Sequence, residues 1–332
     1  MTRVTGNYLI AKTLKEEGVD TLFYLMGGPN FDLVMECQDH GIRTVDFRHE
    51  QAAAYAAHAY ARVTGKPGVV TAASGPGTLN LLTGVYASSI DCSPMLVLGG
   101  ASAVHEIGRD TFQEVDQMSI MQPVCKYLHR PTKANRYPEI ISTAYRQSQS
   151  GRPGPVYIDL GGDVLYEEVE EEAINPATRS RGKSRPAAEH LVVENALSML
   201  SKAEKPLMFA GGGAFFSGAS KELKRFVDLT SIPFYTAPMS RGLVPEDHPV
   251  SFPAARSTAM READVVLVVG TRLNWMMNYG KRFNPDAKII QIDINESELG
   301  HNRNIEIGIF GDAKTVMSQF ASEVENMPSA FD

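Results

Sequence analysis

The chain has 332 residues, of which 43% are hydrophobic and 21% charged, and its formal net charge is −7. This length accommodates two ordinary domains, each with its own core, and the composition is that of a soluble globular protein. A negative balance without a basic tract argues against a nucleic-acid surface, and no apolar run approaches the roughly 18 residues that cross a bilayer.

The opening MTRVTGNYLIAKTLKEEG reads as an amphipathic helix with charges spread through it, not as a signal peptide, so a cytoplasmic protein is expected. DTLFYLM (20–26) is strand-like and ends at Gly27-Gly28, after which Pro29 opens a helix. IRTVDF (42–47) is the next strand and runs into an alanine-rich helix that ends at Gly65. PGVVTAA (67–73) is a strand ending in SGPG, and TLNLLTGVYASSID carries a helical pattern. PMLVLGG (94–100) and PVYIDL (155–160) are further short buried strands. Strands alternating with helices of this length imply a parallel sheet covered on both faces. Cys37, Cys92 and Cys125 match no metal or redox spacing and are expected as buried small apolar residues in a reducing compartment.

From Tyr166 to His190 the text changes to an acidic run and then a basic, Pro/Ser-containing stretch, which reads as an interdomain linker. The second half repeats the rhythm, with helices in LVVENALSMLSKA and GASKELKRFVDLTS and strands in PLMFAGG, IPFYTAP, ADVVLVVG and AKIIQIDIN. AKTVMSQFASEV closes it as a helix. The expectation is an α/β protein of two doubly wound parallel-sheet domains, residues 1–165 and 191–328, joined by a linker at 166–190.

Three strand ends of the first domain, at 26–29, 47–50 and 74–77, fall where open parallel sheets place ligands. Glu50 sits on the first helical turn, where a carboxylate ordinarily just complements the helix dipole. The run of Ala52, Ala53, Ala54, Ala56, Ala57, Ala59 and Ala61 behind it leaves a thin helix that something bulky can approach closely. A carboxyl kept from water in such a place holds its proton more readily and suits exchange with a weakly basic ring nitrogen. SGPGTLN, with Ser74, Gly75, Pro76 and Asn80, is either plain turn chemistry or bare backbone on which a flat ligand or a phosphate can rest. It is neither GxGxxG nor a Walker loop, which argues against dinucleotide or nucleoside-triphosphate binding. YLMGGPN, with Gly27, Gly28 and Pro29, carries the same ambiguity. Phe112 and Gln113 lie in the polar stretch GRDTFQEVDQ, and an amide there can hold a hydroxyl or a carbonyl. In the second domain FAGGGAFFSG is a loose nucleotide-loop shape. Arg241 is either a phosphate clamp or a surface arginine, and Arg272 follows a buried strand beside Asn274 and Trp275, the sole tryptophan.

FRHEQAAAYAAHAYARVTGKPGV, SGPGTLN, DCSPMLVLGG, TFQEVDQ and SGRPGPVYIDL, in that order, resemble the thiamine-diphosphate enzymes of the acetolactate synthase superfamily. The resemblance covers essentially the whole chain, as a pyrimidine-binding domain followed by the central domain. PMSRGLVPEDHP, GTRLNWMMNYG and FNPDAKIIQIDINESELG look most like 2-hydroxyacyl-CoA lyases and oxalyl-CoA decarboxylases. It implies that Glu50 shares a proton with N1′ of the cofactor's aminopyrimidine, promoting the imino form that strips the thiazolium C2 proton. It further implies that Gly27, Gly28 and Pro29 cover the pyrimidine, that Ser74, Gly75 and Pro76 form the turn beside it, and that Asn80 lies near that ring. Phe112 and Gln113 would face the substrate, where oxalyl-CoA decarboxylases have a tyrosine–glutamate pair, a departure that favours a lyase. Arg241 and Arg272 would lie near the phosphates of an acyl-CoA substrate. GGGA replaces the lysine-containing GKGA of the decarboxylases, which leaves ADP or FAD in the central domain an open expectation. Nothing in the chain matches the family's GDG…N segment, so no metal ligand is nominated here. Mg²⁺ and the diphosphate are expected on a separate diphosphate-binding subunit of an oligomer, or on a portion that a fragment would lack. The reading is thus one part of a lyase acting on 2-hydroxyacyl-CoA. An acetolactate synthase-like carboligase, a 2-oxoacid or oxalyl-CoA decarboxylase and a non-catalytic regulatory homologue are the alternatives.

Overall fold

The computed structural model describes residues 2–174, 184–327 and 331. The chain divides into two compact units, Met1–Arg181 and Gly182–Asp332.

The first unit opens with β1 (Arg3–Thr5), α1 (Gly6–Glu16) and β2 (Thr21–Tyr24). Then follow α2 (Phe31–Asp39), β3 (Arg43–Asp46), α3 (Glu50–Thr64), β4 (Gly68–Ala72) and α4 (Pro76–Ile90). β5 (Met95–Ala101), α5 (Gln117–Met121), β6 (Tyr127–His129), α6 (Tyr137–Gln149) and β7 (Pro155–Gly161) come next. The short α7 (Gly162–Leu165) and β8 (Glu168–Glu170) end it. Six strands form a parallel sheet in the order β3-β2-β4-β5-β7-β6. Side chains alternate across it. Leu96, Leu98 and Ile158 join a core with Ile10 and Leu14 of α1, while Val70, Val97 and Tyr157 join another with Ala53, Ala54 and Ala57 of α3.

The expected amino-terminal helix starts only at Gly6, because Thr5 caps it by accepting a hydrogen bond from the Tyr8 N–H. The residues before it pair antiparallel with β8, Val4 opposite Val169, with Arg3 3.2 Å from the Glu168 carboxylate. Part of the acidic run expected as linker is therefore a strand of the first unit, which runs past residue 165. Lys12, 2.6 Å from Glu171, neutralises more of that run. Residues 175–183 of the expected linker lie outside the described residues.

The alanine helix is thin for a reason internal to the fold. Ala53, Ala54, Ala57 and Ala61 are fully buried. A Cβ on Gly84 of α4 would lie 2.5 Å from that of Ala54, and one on Gly68 of β4 would lie 2.1 Å from the Ala57 carbonyl. The small residues let α4 and β4 close on α3, rather than leaving that face for a ligand. Cys37 and Cys125 are buried, which pushes each thiol up to about 12; Cys92 departs from expectation, being partly exposed in the left-handed region at φ 55°.

The second unit begins with α8 (His190–Ser201), β9 (Pro206–Ala210), α9 (Gly212–Ser217) and α10 (Ser220–Thr230). It continues with β10 (Phe234–Thr236), α11 (Arg256–Glu262), β11 (Val265–Val269) and β12 (Lys288–Asp293), then β13 (Ile307–Phe310) and α12 (Ala313–Asn326). Its five strands are parallel in the order β10-β9-β11-β12-β13. Two doubly wound parallel-sheet units are thus present. β6 and β13, which the sequence reading lacks, are short edge strands. No described helix is long and apolar enough to cross a membrane.

Candidate active site

In the first sheet the chain passes from β2 to β3 on one side and then returns to β4 on the other. Strand order reverses between β2 and β4, and a crevice opens at the carboxyl ends of strands flanking such a reversal. The loop after β2 carries Gly27, Gly28 and Pro29, the turn after β4 carries Ser74, Gly75 and Pro76, and α3 starts beside both. The Ser74 N–H donates to the Gly28 carbonyl at 3.3 Å, so the two loops are tied together. A Cβ on Gly27 would sit 2.7 Å from that of Ala73, whereas one on Gly28 would meet nothing within 4 Å. Gly28 faces open space.

Glu50 is 9% exposed at the first position of α3, with His49 as the cap accepting from the Gln51 N–H. Its Oε2 accepts a 2.9 Å hydrogen bond from Asn80 Nδ2 of α4. Among the described residues no donor reaches Oε1, which lies 3.3 Å from where a Cβ on Gly77 would be. One carboxylate oxygen is fixed and the other stands beside bare backbone. A carboxylate oxygen so placed can accept a hydrogen bond from, or exchange a proton with, a flat group in the crevice.

The loop at 107–116 closes over the turn. Gln113 has φ 59°, a strained conformation for a residue with a side chain, and Ser74 Oγ donates to its Oε1 at 2.9 Å. That leaves the Gln113 NH₂ as the free end of the amide. A Cβ on Gly75 would lie 2.4 Å from the Gln113 carbonyl, so only glycine fits under the loop. Phe112 does not join the group: its side chain is 81% exposed, and only its carbonyl is engaged, by Ser102 Oγ. Beside Gln113 lies a cavity of about 330 Å³, whose polar lining includes Ser102, Gln117 and Arg130.

Behind the turn the structure adds a buried network that the sequence reading lacks. Gln117 Oε1 accepts from the Gly75 N–H at 2.6 Å, and its Nε2 lies 3.0 Å from the Gly100 carbonyl, 2.9 Å from the Tyr157 hydroxyl and 2.8 Å from Asp159 Oδ1. Arg130 pairs with the other oxygen of Asp159 at 2.5 Å, and Asp159 is fully buried. Burial, reinforced by that carboxylate, holds the Tyr157 hydroxyl well above the usual phenol range. The one available signal is a charged residue in the middle of the otherwise apolar strand PVYIDL.

Arg241 and Arg272 belong to the second unit, Arg241 exposed and Arg272 half-buried. Arg241 has company that sequence spacing does not announce. Burial, together with the guanidinium groups of Arg282 and Arg241, lowers the affinity of Arg256 for its proton. Arg256 also stacks 5.3 Å above the Phe209 ring. Among the described residues none of these three cations has a carboxylate partner. In contrast, Gly211 and Gly213 of the GGGA segment are filled by their neighbours: a Cβ on Gly211 would lie 1.6 Å from Thr271 Oγ1, and one on Gly213 2.9 Å from the Gly270 Cα. Among the described residues no group of three or more His, Cys, Asp or Glu side chains is placed to hold a metal ion.

Comparison with known proteins agrees with this layout. Residues 4–120 match the family described as thiamine pyrophosphate enzyme, N-terminal TPP binding domain, and residues 193–320 match its central domain. A 2-hydroxyacyl-CoA lyase of Arabidopsis thaliana is 38% identical over 98% of this chain and 58% of the relative. A probable acetolactate synthase large subunit of Methanocaldococcus jannaschii is 37% identical over 94% of this chain and 55% of the relative. An oxalyl-CoA decarboxylase of Escherichia coli K12 is 36% identical over 96% of this chain and 58% of the relative. The chain therefore spans somewhat over half the length of the curated relatives it matches. With both matched regions falling on the two parallel-sheet units in family order, the chain belongs to the thiamine pyrophosphate enzymes, of which it carries the N-terminal TPP-binding and the central domain.

Proposed function

We propose that this chain forms the pyrimidine-binding and central parts of a carbon–carbon lyase that cleaves or forms the C1–C2 bond of 2-hydroxyacyl-CoA, giving formyl-CoA and an aldehyde or ketone. The observation that carries the reading is the half-held carboxylate of Glu50, with Oε2 on Asn80 and Oε1 beside the bare backbone of Gly77. These residues fit an aminopyrimidine: a flat group has room beside Gly28, and Oε1 is an acceptor that no donor reaches among the described residues. Thiamine diphosphate, when bound, supplies a cationic ring that can take up the electron pair of the broken bond.

With that group bound, Glu50 Oε1 would be the atom that gives and takes a proton at a ring nitrogen, and Asn80, bonded to Oε2, would hold the carboxylate in one orientation. Such acid–base exchange is worth about 10²- to 10⁴-fold in rate. Gln113, its carbonyl end held by Ser74, offers its NH₂ to an oxygen of the substrate. The glutamine, in place of the glutamate typical of oxalyl-CoA decarboxylases, lets this position donate as well as accept at neutral pH. In the second unit the guanidinium groups of Arg241, Arg256 and Arg282, without a carboxylate partner among the described residues, suit an anion such as a phosphate of a CoA moiety. The diphosphate and its Mg²⁺ would be held by carboxylate and amide ligands on a partner subunit or a further portion of the same protein.

The experiment supplies the chain with a diphosphate-binding partner or in its full-length context, with cofactor and Mg²⁺, and measures formyl-CoA release, oxalyl-CoA decarboxylation and pyruvate consumption. Release of formyl-CoA is expected, and its loss in Glu50→Gln. Pyruvate consumption alone selects the carboligase, and oxalyl-CoA turnover the decarboxylase. Turnover unchanged by Glu50→Gln defeats the assignment of Glu50, and no turnover of any substrate in the complete mixture selects a non-catalytic homologue.

A further inference from the structure

Gln117 holds the Ser74–Gly77 turn from behind. Gln117 is 2% exposed, and both ends of its amide are engaged within the protein. Its orientation is not arbitrary. The Gly100 carbonyl accepts only, and Asp159, whose other oxygen takes the Arg130 N–H, meets the amide with a carboxylate oxygen that also accepts only. Tyr157 donates its own proton to Asp159 Oδ1 and so meets Gln117 as an acceptor. The NH₂ end must face this group, and the carbonyl end is thereby turned toward the one donor on the other side, the Gly75 N–H.

That bond lands where the backbone has few alternatives. Gly75 has φ 57° and ψ −114°, a conformation that only glycine adopts without strain, and it caps the start of α4 with no side chain of its own. Two residues on, Gly77 faces Glu50 Oε1, and one turn further Asn80 holds Oε2. The placement of α4 against Glu50 therefore begins at the N–H that Gln117 grips. Resting on the reading of Glu50 given above, we propose that Gln117 is a positioning residue for the cofactor ring: it locks the Ser74–Gly77 turn, and with it the two groups of α4 that face Glu50, to the Arg130–Asp159 ion pair in the sheet. It touches no reacting atom, since both ends of its amide are committed.

The test is made in the full enzyme that contains this chain. Gln117→Met keeps the volume and leaves the Gly75 N–H without a partner. Its expected effects are about tenfold weaker binding of thiamine diphosphate, read by calorimetry, and about tenfold faster hydrogen exchange in the peptide spanning 74–80. KM for the acyl-CoA substrate is expected to stay within about twofold, because a buried amide with committed ends makes no contact for substrate to lose. Tyr157→Phe removes one partner of the amide but leaves the bond to Gly75, and its expected effect is about twofold in the same direction on both readouts. Cofactor affinity equal to that of the parent in Gln117→Met, or a loss confined to KM, overturns the proposal. Where Gln117→Met does not fold, Tyr157→Phe decides: weaker cofactor binding with faster exchange supports it, and no change in either overturns it. Glu50→Gln is run in parallel. Its loss of turnover beside unaltered cofactor binding in Gln117→Met overturns the positioning role alone, while its full turnover overturns the reading on which the role rests.

Discussion

At the order reversal of the first sheet Gly28 faces open space; at the reversal of the second, between β9 and β11, glycines meet glycines. There the Gly211 N–H donates to the Val269 carbonyl and the Gly213 N–H to Gly270, and the positions that side chains would occupy are filled by Gly270 and Thr271. Both loops read alike in the sequence, as small residues between a strand and a helix. The physical difference lies in what each glycine leaves room for. At Gly28 the missing side chain faces unfilled space, whereas at Gly211 and Gly213 it lets the Gly270–Thr271 segment approach closely. A glycine-rich strand end is evidence of close approach, and only the neighbouring atoms say whether a ligand or the chain itself approaches.

The contrast breaks most sharply on alanine. Gly211→Ala places a Cβ 1.6 Å from Thr271 Oγ1 and 2.6 Å from the Gly270 carbonyl, at a φ of −125° that alanine adopts freely, so its effect is purely steric. The expected destabilisation is about 3 kcal/mol or more, since the backbone of a packed turn must move. Gly28→Ala is expected to change stability by less than about 0.5 kcal/mol, because its Cβ meets nothing. Hydrogen exchange followed separately in peptides of the two units measures both. Equal effects would show that the two switch points are not the opposites described above.

The alternation of apolar runs and helices reveals two parallel sheets because each buried strand carries its pattern locally, as in VVLVV of β11. β1 and β8 escape notice because a charged strand such as EVE becomes one only by pairing with a segment more than 160 residues away. The same limit governs the site. Glu50, the Gly27–Pro29 loop and the Ser74–Pro76 turn are legible as strand ends with a carboxyl and bare backbone. Gln117 is not, since its bonds reach residues 42 positions away in both directions and leave no local spacing. Arg256 and Arg282 escape for the same reason: like charges 26 residues apart become a cluster only through folding.

Within the first unit, Asn80→Ala tests whether the crevice is organised for chemistry. The substitution removes the only donor that holds Glu50 among the described residues and frees the carboxylate to turn from the crevice. A hydrogen bond to a charged group contributes about 1.5–3 kcal/mol, so kcat is expected to fall about 10- to 150-fold. KM for the acyl-CoA is expected to stay near that of the parent. An unchanged kcat would mean that Glu50 keeps its orientation without Asn80.

The second unit supplies the opposite signature under the proposed function, charge for binding and none for the chemical step. Arg256→Met keeps an unbranched stem and removes the guanidinium that lies over Phe209 and is repelled by those of Arg282 and Arg241. Loss of one charge-assisted contact to phosphate is expected to raise KM for an acyl-CoA about tenfold while kcat holds. A truncated thioester without the nucleotide should be processed equally by variant and parent, because it never reaches the cluster. Removing the cation relieves repulsion from the other two guanidinium groups but also loses the stacking on Phe209, so stability is expected to change by less than about 1 kcal/mol. If kcat fell and KM held, the arginines would belong with Glu50 in function, and the division between the two units would fail at that point.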